Sequence, residues 1–408
     1  MNKIIEESEK ELENLFKQID NIALENEKKV LNAFKKSRIA LEHMYGSSGY
    51  GYSDIGKIKL NELFANIFNA ESAICSPLIT CGTHALGASL MGIVKSGDKI
   101  LSITGDVYDS LLPCVNKKGI GSLSDYGVEY KAVELNNGKF NYDAIVQYMT
   151  KINPNVIYIQ RSCGYSTRDT FSIEELAEAI KFVKQINKEV IVFVDNCYGT
   201  FSSTKEPTDI GADIVVGSLI KNAGGGIAPT GGYVAGKKEL VDRIAGRLFG
   251  VGLGAEVGSY VAGYQNYFEG VFIAPSVVKN ALKGSLLIGK VLEKFGIKSY
   301  PNVHCIPNDI IRRIDFNDKN KMIEFIKRVQ FSSPVDSFVS PEPSYMPGYE
   351  DDVIMASGGF VQGASIEMSC DGPIRPPYTA YFQGGLTYEQ VKIFAEDVAN
   401  YLDSLNKN

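Results

Sequence analysis

Two short apolar stretches decide the fold class of this chain: residues 190–200 (VIVFVDNCYGT) and residues 211–222 (GADIVVGSLIKN). Runs of β-branched residues of this length are typical of buried strands. Asp195 ends the first run, and Lys221 follows the second. A buried lysine must be paired or lose its proton, and lysines placed this way serve as nucleophiles that form Schiff bases. The alternative is that both side chains are solvated charges at strand ends.

Predicted strands and helices alternate on both sides of these stretches, between about residues 60 and 240. We expect strands at 99–104, 128–134, 155–160, 189–195, 213–218 and 231–236. We expect helices at 60–69, 82–95, 109–117, 142–150 and 172–187, the last with Ser172 as its cap and Glu175 in the capping-box position. Such alternation indicates an α/β fold with a mainly parallel sheet.

The pattern changes at both ends of the chain. Residues 2–44 have the apolar spacing of a helical arm that packs on another surface, a partner subunit being one option. Residues 45–56 (YGSSGYGYSDIG) are too rich in glycine for a helix or strand. Further patterns are helical within 241–290 (including 276–290), apolar at 306–316, helical at 318–329, strand-like at 353–370 and helical at 387–405. We therefore predict an N-terminal arm and loop (1–59), a large domain (60–290) and a smaller α+β domain (291–408).

Composition excludes several classes of function. The 408 residues include 42 Lys and Arg against 48 Asp and Glu, so no basic excess is present to bind nucleic acid. The apolar runs are far shorter than the roughly 20 residues that cross a bilayer, and the N-terminus lacks a secretory apolar region. Seven scattered cysteines without a CxxC pair are typical of reduced thiols. We expect a soluble, cytoplasmic protein that binds neither nucleic acid nor membrane.

Three short motifs resemble a metal site, a P-loop and a serine-enzyme motif, but each lacks a residue that its chemistry requires. Cys81-x-x-His84 lies near Cys75, but with three histidines in the chain and no second ligand pair we predict no metal site. Residues 51–57 (GYSDIGK) match GxxxxGK, yet Ile58 replaces the hydroxyl residue that a P-loop needs for magnesium. Residues 218–221 (SLIK) match the SxxK of penicillin-recognising enzymes, whose later elements are missing here.

The aspartate and lysine segments at 195–198 and 211–221 resemble the signature of fold-type I pyridoxal phosphate (PLP) enzymes, most closely the cystathionine and methionine metabolism branch. Residues 49–56, 102–109 and 383–389 resemble one subgroup of the cystathionine beta-lyase family, the methionine gamma-lyase-like or "aluminium resistance" proteins. The likeness extends from about residue 30 to 405. It implies the aspartate aminotransferase type of α/β fold, with a mainly parallel seven-stranded sheet and a smaller C-terminal domain.

The resemblance also implies roles for individual residues. Lys221 would form the Schiff base with PLP and move the α-proton, and Asp195 would keep the pyridinium nitrogen protonated. The cofactor phosphate would be held by Gly82, Thr83, the backbone of His84 and Ser218, and Tyr108 would stack on the ring and take part in catalysis. Tyr52 would reach the phosphate of a neighbouring subunit, which implies a homodimer or homotetramer with shared active sites.

Two arginines of the better-known gamma-lyases have no counterpart in this sequence. The phosphate-binding arginine that follows the interfacial tyrosine is replaced by Asp54, with Lys57 as the nearest cation. The carboxylate-binding arginine aligns with Tyr381; Arg375 and Arg161 are the candidate substitutes, although Arg375 also fits a loop residue in a surface ion pair.

We expect β- or γ-elimination that cleaves the carbon–sulfur bond of a cystathionine- or methionine-like substrate. Transamination, racemisation and aldol cleavage remain alternatives, as does a weakly catalytic PLP-binding protein of stress response.

Overall fold

The computed structural model describes residues 3–346 and 349–407, whose elements we number in chain order. The α-helices are α1 (Lys3–Lys36), α2 (Ile55–Ile67), α3 (Gly82–Ile93), α4 (Leu112–Asn116), α5 (Tyr142–Ile152), α6 (Ile173–Ile186), α7 (Lys238–Phe249), α8 (Gln265–Lys294), α9 (Lys319–Phe331) and α10 (Tyr388–Lys407). The strands are β1 (Ser72–Ser76), β2 (Lys99–Ser102), β3 (Glu129–Ala132), β4 (Val156–Gln160), β5 (Ile191–Asp195), β6 (Ile214–Ser218), β7 (Gly232–Gly236), β8 (Lys298–Tyr300), β9 (Ile311–Asp315), β10 (Val353–Ala356), β11 (Ser369–Pro373) and β12 (Thr379–Gln383).

The larger sheet has seven strands in the order β1-β7-β6-β5-β4-β2-β3. Strand β7 runs antiparallel to both of its neighbours, and the other strands are parallel to one another. Every residue of β4 and β6 is buried, which explains why these strands read as continuous apolar runs. The predicted α/β fold with a mainly parallel sheet is confirmed. Because the parallel strands end at one edge, the loops that follow them are brought together there.

The smaller sheet is antiparallel throughout, with five strands in the order β10-β11-β12-β9-β8. Helix α9 packs against β10 and β11, and α10 packs against α8 and α9. The aromatic rings of Phe325, Phe382 and Phe394 meet in the core between these layers. Met355 of β10 and Asp371 of β11 line the same cavity as the ends of β5 and β6, so this sheet forms part of the site described below.

The N-terminal arm packs on its own chain. Helix α1 lies along α8 and buries an apolar stripe that includes Leu12 and Ile19. Ion pairs fix the alignment, with Lys290 Nζ 2.8 Å from Glu11 and Lys283 Nζ 2.6 Å from Asp20. The sequence pattern left open which surface the arm would cover, and within the described residues that surface is α8. Position 2, the first residue of the predicted arm, lies outside the described residues.

Helix α8 differs most from the sequence-based expectation. It runs through Pro275 instead of starting after it, because the helix is buried along most of its length and packing outweighs the one lost hydrogen bond. The predicted domain boundary at 290–291 falls inside α8, whose buried residues pack into the cores around both sheets. Among the described helices, α8 alone has the length and mean hydropathy (1.4) of a membrane span, and 67% of that window is buried inside the protein.

Three other elements depart from the predicted pattern. Strand β1 was missed, since its five residues carry two serines that weaken the apolar signal. The strand-like segment 353–370 is divided into β10 and β11 by a loop. The helix expected at 109–117 is confined to α4, because the preceding residues form a loop that lines the cavity.

Candidate active site

A cavity of about 480 Å³ lies at the carboxyl edge of the larger sheet, beneath the smaller sheet. Its walls come from the start of α3, the loops after β2 and β4, the ends of β5 and β6, and strands β10 and β11. The side chains of Lys221, Asp195, Ser218 and Tyr108 all line it, together with Gly82 and Thr83. Arg375 lines it as well, so the fold brings together seven of the site residues predicted from the sequence.

Lys221 lies three residues beyond the end of β6. Its Nζ atom is 3.6 Å from the centre of the Tyr198 ring and donates a hydrogen bond of 3.2 Å to Ser365 Oγ. Burial lowers the pKa of Lys221, but Tyr198, Cys197 and Asp195 raise it, and the net shift is upward. The amine is therefore held as an ammonium ion and has to lose a proton before it can act as a nucleophile.

Asp195 ends β5 in a closed environment, 5% exposed. Its two carboxylate oxygens accept hydrogen bonds from the Cys197 N–H at 3.0 Å and from the Tyr158 hydroxyl at 3.2 Å. Burial raises the pKa of Asp195, while these hydrogen bonds and Lys221 oppose the shift. A buried carboxylate fixed by two donors is suited to hold a proton on the ring nitrogen of a bound heterocycle.

The start of α3 provides donors for an anion. Gly82 is its first residue, and a Cβ atom built there would lie 3.4 Å from both Ser218 Cβ and Cys197 Sγ, so the helix terminus adjoins the end of β6. Ser218 is 1% exposed, and its hydroxyl oxygen has no hydrogen-bond partner among the described residues. An orphaned buried hydroxyl next to a helix N-terminus fits the phosphate of PLP.

Thr83 and Tyr108 are hydrogen-bonded to each other, whereas His84 is hydrogen-bonded to residues that precede α3. Thr83 Oγ1 accepts a hydrogen bond of 2.8 Å from the Tyr108 hydroxyl. Burial raises the pKa of Tyr108, so this phenol is a neutral donor. The backbone N–H of His84 already points at Cys81 Sγ, 3.4 Å away, and its Nδ1 accepts from the Thr80 N–H. His84 therefore has less donor capacity left than the sequence suggested.

Arg161 does not line the cavity, and its guanidinium instead binds groups of the neighbouring backbone and side chains. The side chain is 1% exposed and donates to Asn196 Oδ1 at 3.0 Å and to the Gly199 carbonyl at 2.9 Å. Further bonds reach Ser202 Oγ and two carbonyls. The expectation that Arg161 binds an anionic substrate group is therefore corrected, because its donors are occupied by the loop after β5 and by the carbonyls of Phe171 and Asn308.

Arg375 has both properties that the sequence left open. Its guanidinium lines the cavity and also pairs with Asp351 at 3.2 Å. The side chain is 49% exposed, so a substrate carboxylate can compete with Asp351 for it. Tyr381, at the position of the missing arginine, donates a hydrogen bond from its hydroxyl to the Tyr165 carbonyl at 2.9 Å, and its ring packs against the Tyr165 ring.

The glycine-rich segment 45–56 is a loop only as far as Asp54, because α2 already begins at Ile55, and this loop is tied to the segment that precedes α8. Lys57 Nζ donates to the carbonyls of Gly51, Glu256 and Val257 at 3.3, 3.2 and 3.0 Å, so it does not replace the missing arginine within this chain's own cavity. Asp54 caps α2 and accepts from the Tyr264 hydroxyl at 2.9 Å. Tyr52 is 57% exposed and lies outside the cavity of its own chain.

Sequence reasoning named Arg375 of the smaller domain but missed two further residues of that domain, Ser365 and Asp371. Ser365 contacts Lys221, and Asp371 lines the same cavity from β11. A signal for Asp371 was present, because it interrupts a strand-like run with a charge directly before the Gly-Pro-Ile-Arg segment that ends at Arg375. Within residues 3–346 and 349–407, no three His, Cys, Asp or Glu side chains are grouped as metal ligands.

The fold and the cavity define the class of this protein. A seven-stranded, mainly parallel sheet with a smaller C-terminal domain is the architecture of PLP-dependent proteins of the aspartate aminotransferase type. The PLP-dependent protein YhfS of Escherichia coli shares this fold, with a TM-score of 0.59 at 16% identity over 94% of this chain and 96% of its own.

More narrowly, the chain belongs to the methionine gamma-lyase family, whose profile matches residues 1–403. YnbB of Bacillus subtilis, a protein described as uncharacterized, is 46% identical over 99% of this chain and 96% of its own length. A structure from Clostridium novyi, described as a carbon–sulfur lyase involved in aluminum resistance, superposes with a TM-score of 0.92 at 45% identity, covering 96% of this chain and 93% of that one. The family resemblance inferred from the sequence is thereby confirmed.

Proposed function

We propose that this protein is a PLP-dependent lyase that cleaves the carbon–sulfur bond of an amino acid by β- or γ-elimination. The observation that carries the proposal is the pairing of Lys221 and Asp195 in one cavity with the orphaned Ser218 hydroxyl. The family and the carbon–sulfur lyase relative support the choice of reaction.

Each part of the cofactor has residues suited to hold it. The start of α3, Thr83 and Ser218 would bind the phosphate, Asp195 the pyridine nitrogen, and Lys221 the aldehyde carbon. PLP, when bound, supplies an electron sink that stabilises negative charge on the substrate's α-carbon.

The chain's own residues then move protons and position the substrate. The Lys221 amine, freed when the substrate takes its place, removes the α-proton. The Tyr108 phenol, a neutral donor held by Thr83, lies in the same cavity and donates a proton to the departing sulfur. Arg375 binds the α-carboxylate after exchange with Asp351.

The experiment is to mix the holoenzyme with a panel of amino acids and measure products and absorbance. Release of a thiol with pyruvate or 2-oxobutanoate from cystathionine, cysteine derivatives or methionine supports the lyase. Exchange with keto acids, racemised amino acids or aldehyde release would instead identify the alternative reactions of the same cofactor. Tight PLP binding without a spectral response to any amino acid would favour the weakly catalytic stress-response protein.

We also infer that a second copy of the chain covers the surface next to the site. Exposed apolar side chains concentrate in two segments, residues 45–58 and 251–261. These segments are joined by hydrogen bonds from Gly258 N–H to the Tyr50 carbonyl (3.1 Å) and from Ser259 Oγ to the Gly49 carbonyl (2.7 Å). Such a contiguous patch is typical of an interface. It would carry Tyr52 toward the partner's phosphate site in a homodimer or a homotetramer. The cytoplasmic location stays a prediction.

A further inference from the structure

Asp371 is a buried carboxylate in the cavity to which neither the sequence nor the proposed function gives a role. It lies in the middle of β11, is 9% exposed, and lines the same cavity as Lys221. One of its oxygens accepts a hydrogen bond of 3.1 Å from Gln383 Nε2. It is thus fixed in position and faces the reacting lysine from the smaller domain.

The charge of Asp371 is not neutralised by an ion pair. In the part of the chain that the structure describes, no cationic group lies within salt-bridge distance of it, although Lys221 stabilises its charge across the cavity. Burying a carboxylate without a partner is destabilising, and such groups are concentrated at functional sites. Among the described residues, two buried carboxylates line the cavity. Asp195 would pair with the pyridine nitrogen, which leaves Asp371 without a cationic partner.

The substrate brings that cation. An amino acid reaches the site as an α-ammonium ion. Its nitrogen would have to reach the cofactor carbon that Lys221 would hold, and it must lose a proton before it can attack. We propose that Asp371 is a catalytic residue that binds the incoming α-ammonium group and takes one proton from it. The proton passes from the substrate nitrogen to an Asp371 oxygen, and the nitrogen keeps the electron pair with which it attacks; no other reactant is needed. This inference rests on the proposed PLP chemistry but not on cleavage of a carbon–sulfur bond.

The environment of Asp371 suits this exchange. Burial raises its pKa to about 6, against opposing effects of Tyr165, Lys221 and Gln383. Tyr349 and Arg375 also face this part of the cavity. The carboxylate is therefore ionised at neutral pH, and its raised pKa is closer to that of the α-ammonium group it would deprotonate than an ordinary aspartate's would be. A general base works best when its pKa is near the operating pH.

The test uses L-alanine, which has no leaving group, so that only amine capture is observed. Holoenzyme is mixed rapidly with L-alanine, and the rate of the change in cofactor absorbance is measured between about pH 6.5 and pH 9.5. We expect Asp371→Asn to react about 100-fold more slowly near neutral pH. The deficit should shrink to a few-fold at the alkaline end, because the free amine needs no base. Asp371→Glu should restore part of the neutral rate.

Asp109→Asn is the matched control, since Asp109 lies on the rim of the same cavity and its variant removes one carboxylate there. It should change the rate with L-alanine less than about threefold at every pH, because Asp109 lies outside the proposed exchange. A deficit of Asp371→Asn that is constant with pH, or no deficit, would overturn the proposal, as would a wild-type holoenzyme that does not respond to L-alanine at all. Response to L-alanine without lysis of any thioether substrate would instead overturn the proposed function and leave the role of Asp371 intact.

Discussion

The Nζ atom of Lys221 lies 3.6 Å from the centre of the Tyr198 ring, and each of the two residues follows the end of its strand by three positions. Strands β5 and β6 are neighbours in the sheet, so their equal extensions place the lysine directly over the ring face. A cation in this position is stabilised by about 0.5–2 kcal/mol. The amine is thus held at a fixed point between Asp195, Ser218 and the smaller domain.

The Lys221→Ala variant should lose turnover by at least about 1,000-fold, because no other lysine among the described residues lines the cavity to form the covalent bond or remove the α-proton. Borohydride treatment of wild-type holoenzyme, followed by peptide mass spectrometry, should locate the reduced cofactor at residue 221. An adduct that persists in the alanine variant would show that another lysine holds the cofactor.

The Ser218→Ala variant should bind PLP about 10–150-fold more weakly, the effect of losing one hydrogen bond to a charged group. Stability without cofactor should change little, since the Ser218 hydroxyl has no partner to lose among the described residues. Ser89→Ala is the control: this serine is also fully buried and unpartnered in the described structure, but it lies outside the cavity. Equal loss of PLP affinity in both variants would argue against a phosphate site at Ser218.

Arg375 and Asp351 should have opposite effects on substrate binding. Arg375→Ala should raise KM at least about tenfold with a smaller change in kcat, because a charge-assisted contact to the α-carboxylate is lost. Asp351→Asn should lower KM by at most a few-fold, since the half-exposed ion pair that competes with substrate is worth less than about 1 kcal/mol. Steady-state kinetics on the best substrate decides this, and an increase of KM in Asp351→Asn would contradict the competition.

Tyr52 allows the shared active site to be tested by complementation. Tyr52→Phe and Lys221→Ala should each be nearly inactive, for different reasons. Co-expressed in equal amounts, they should recover about a quarter of wild-type activity, because half of the random dimers contain one site with both native residues. A co-expressed sample no more active than the separate variants would place Tyr52 in its own subunit's site or outside the site.

Asp371 should also affect stability in a pH-dependent way. Its pKa is raised to about 6 in the folded protein, so the folded state holds the proton more tightly than the unfolded chain does. The ionised form therefore destabilises the fold, an effect absent below about pH 4, growing as the pH rises to about 6 and constant above, at up to about 3 kcal/mol. Asp371→Asn should be the more stable protein above about pH 6, with a gap that closes on acidification.

Denaturant unfolding of the two apoproteins at several pH values measures this difference. A gap that does not vary between about pH 4 and pH 7 would show that the carboxylate is not held in a low-dielectric environment.

The parts of the fold carried by local pattern were predictable. The strand ends at Asp195 and near Lys221 follow from β-branched runs, and the start of α6 follows from Ser172 and Glu175, which form the capping box in the structure. Strand β1 and the first third of α8 were not predictable, because their stability comes from neighbouring elements. A serine-bearing edge strand and a helix through Pro275 form only where packing outweighs propensity.

The sequence by itself determined the chemistry of the cavity, because the aspartate and lysine segments each end a strand, and parallel strands expose their carboxyl ends along one edge. Only the tertiary structure decided which cations remain available. In the folded chain Arg161 is hydrogen-bonded to a carbonyl after β5, and Lys57 is hydrogen-bonded to carbonyls before α8. Arg375 lines the cavity. The tertiary structure also brought Asp371 to face Lys221 from a separate sheet. Whether a charged side chain is available depends on hydrogen-bond partners that are distant in sequence, and a local sequence pattern does not predict those partners.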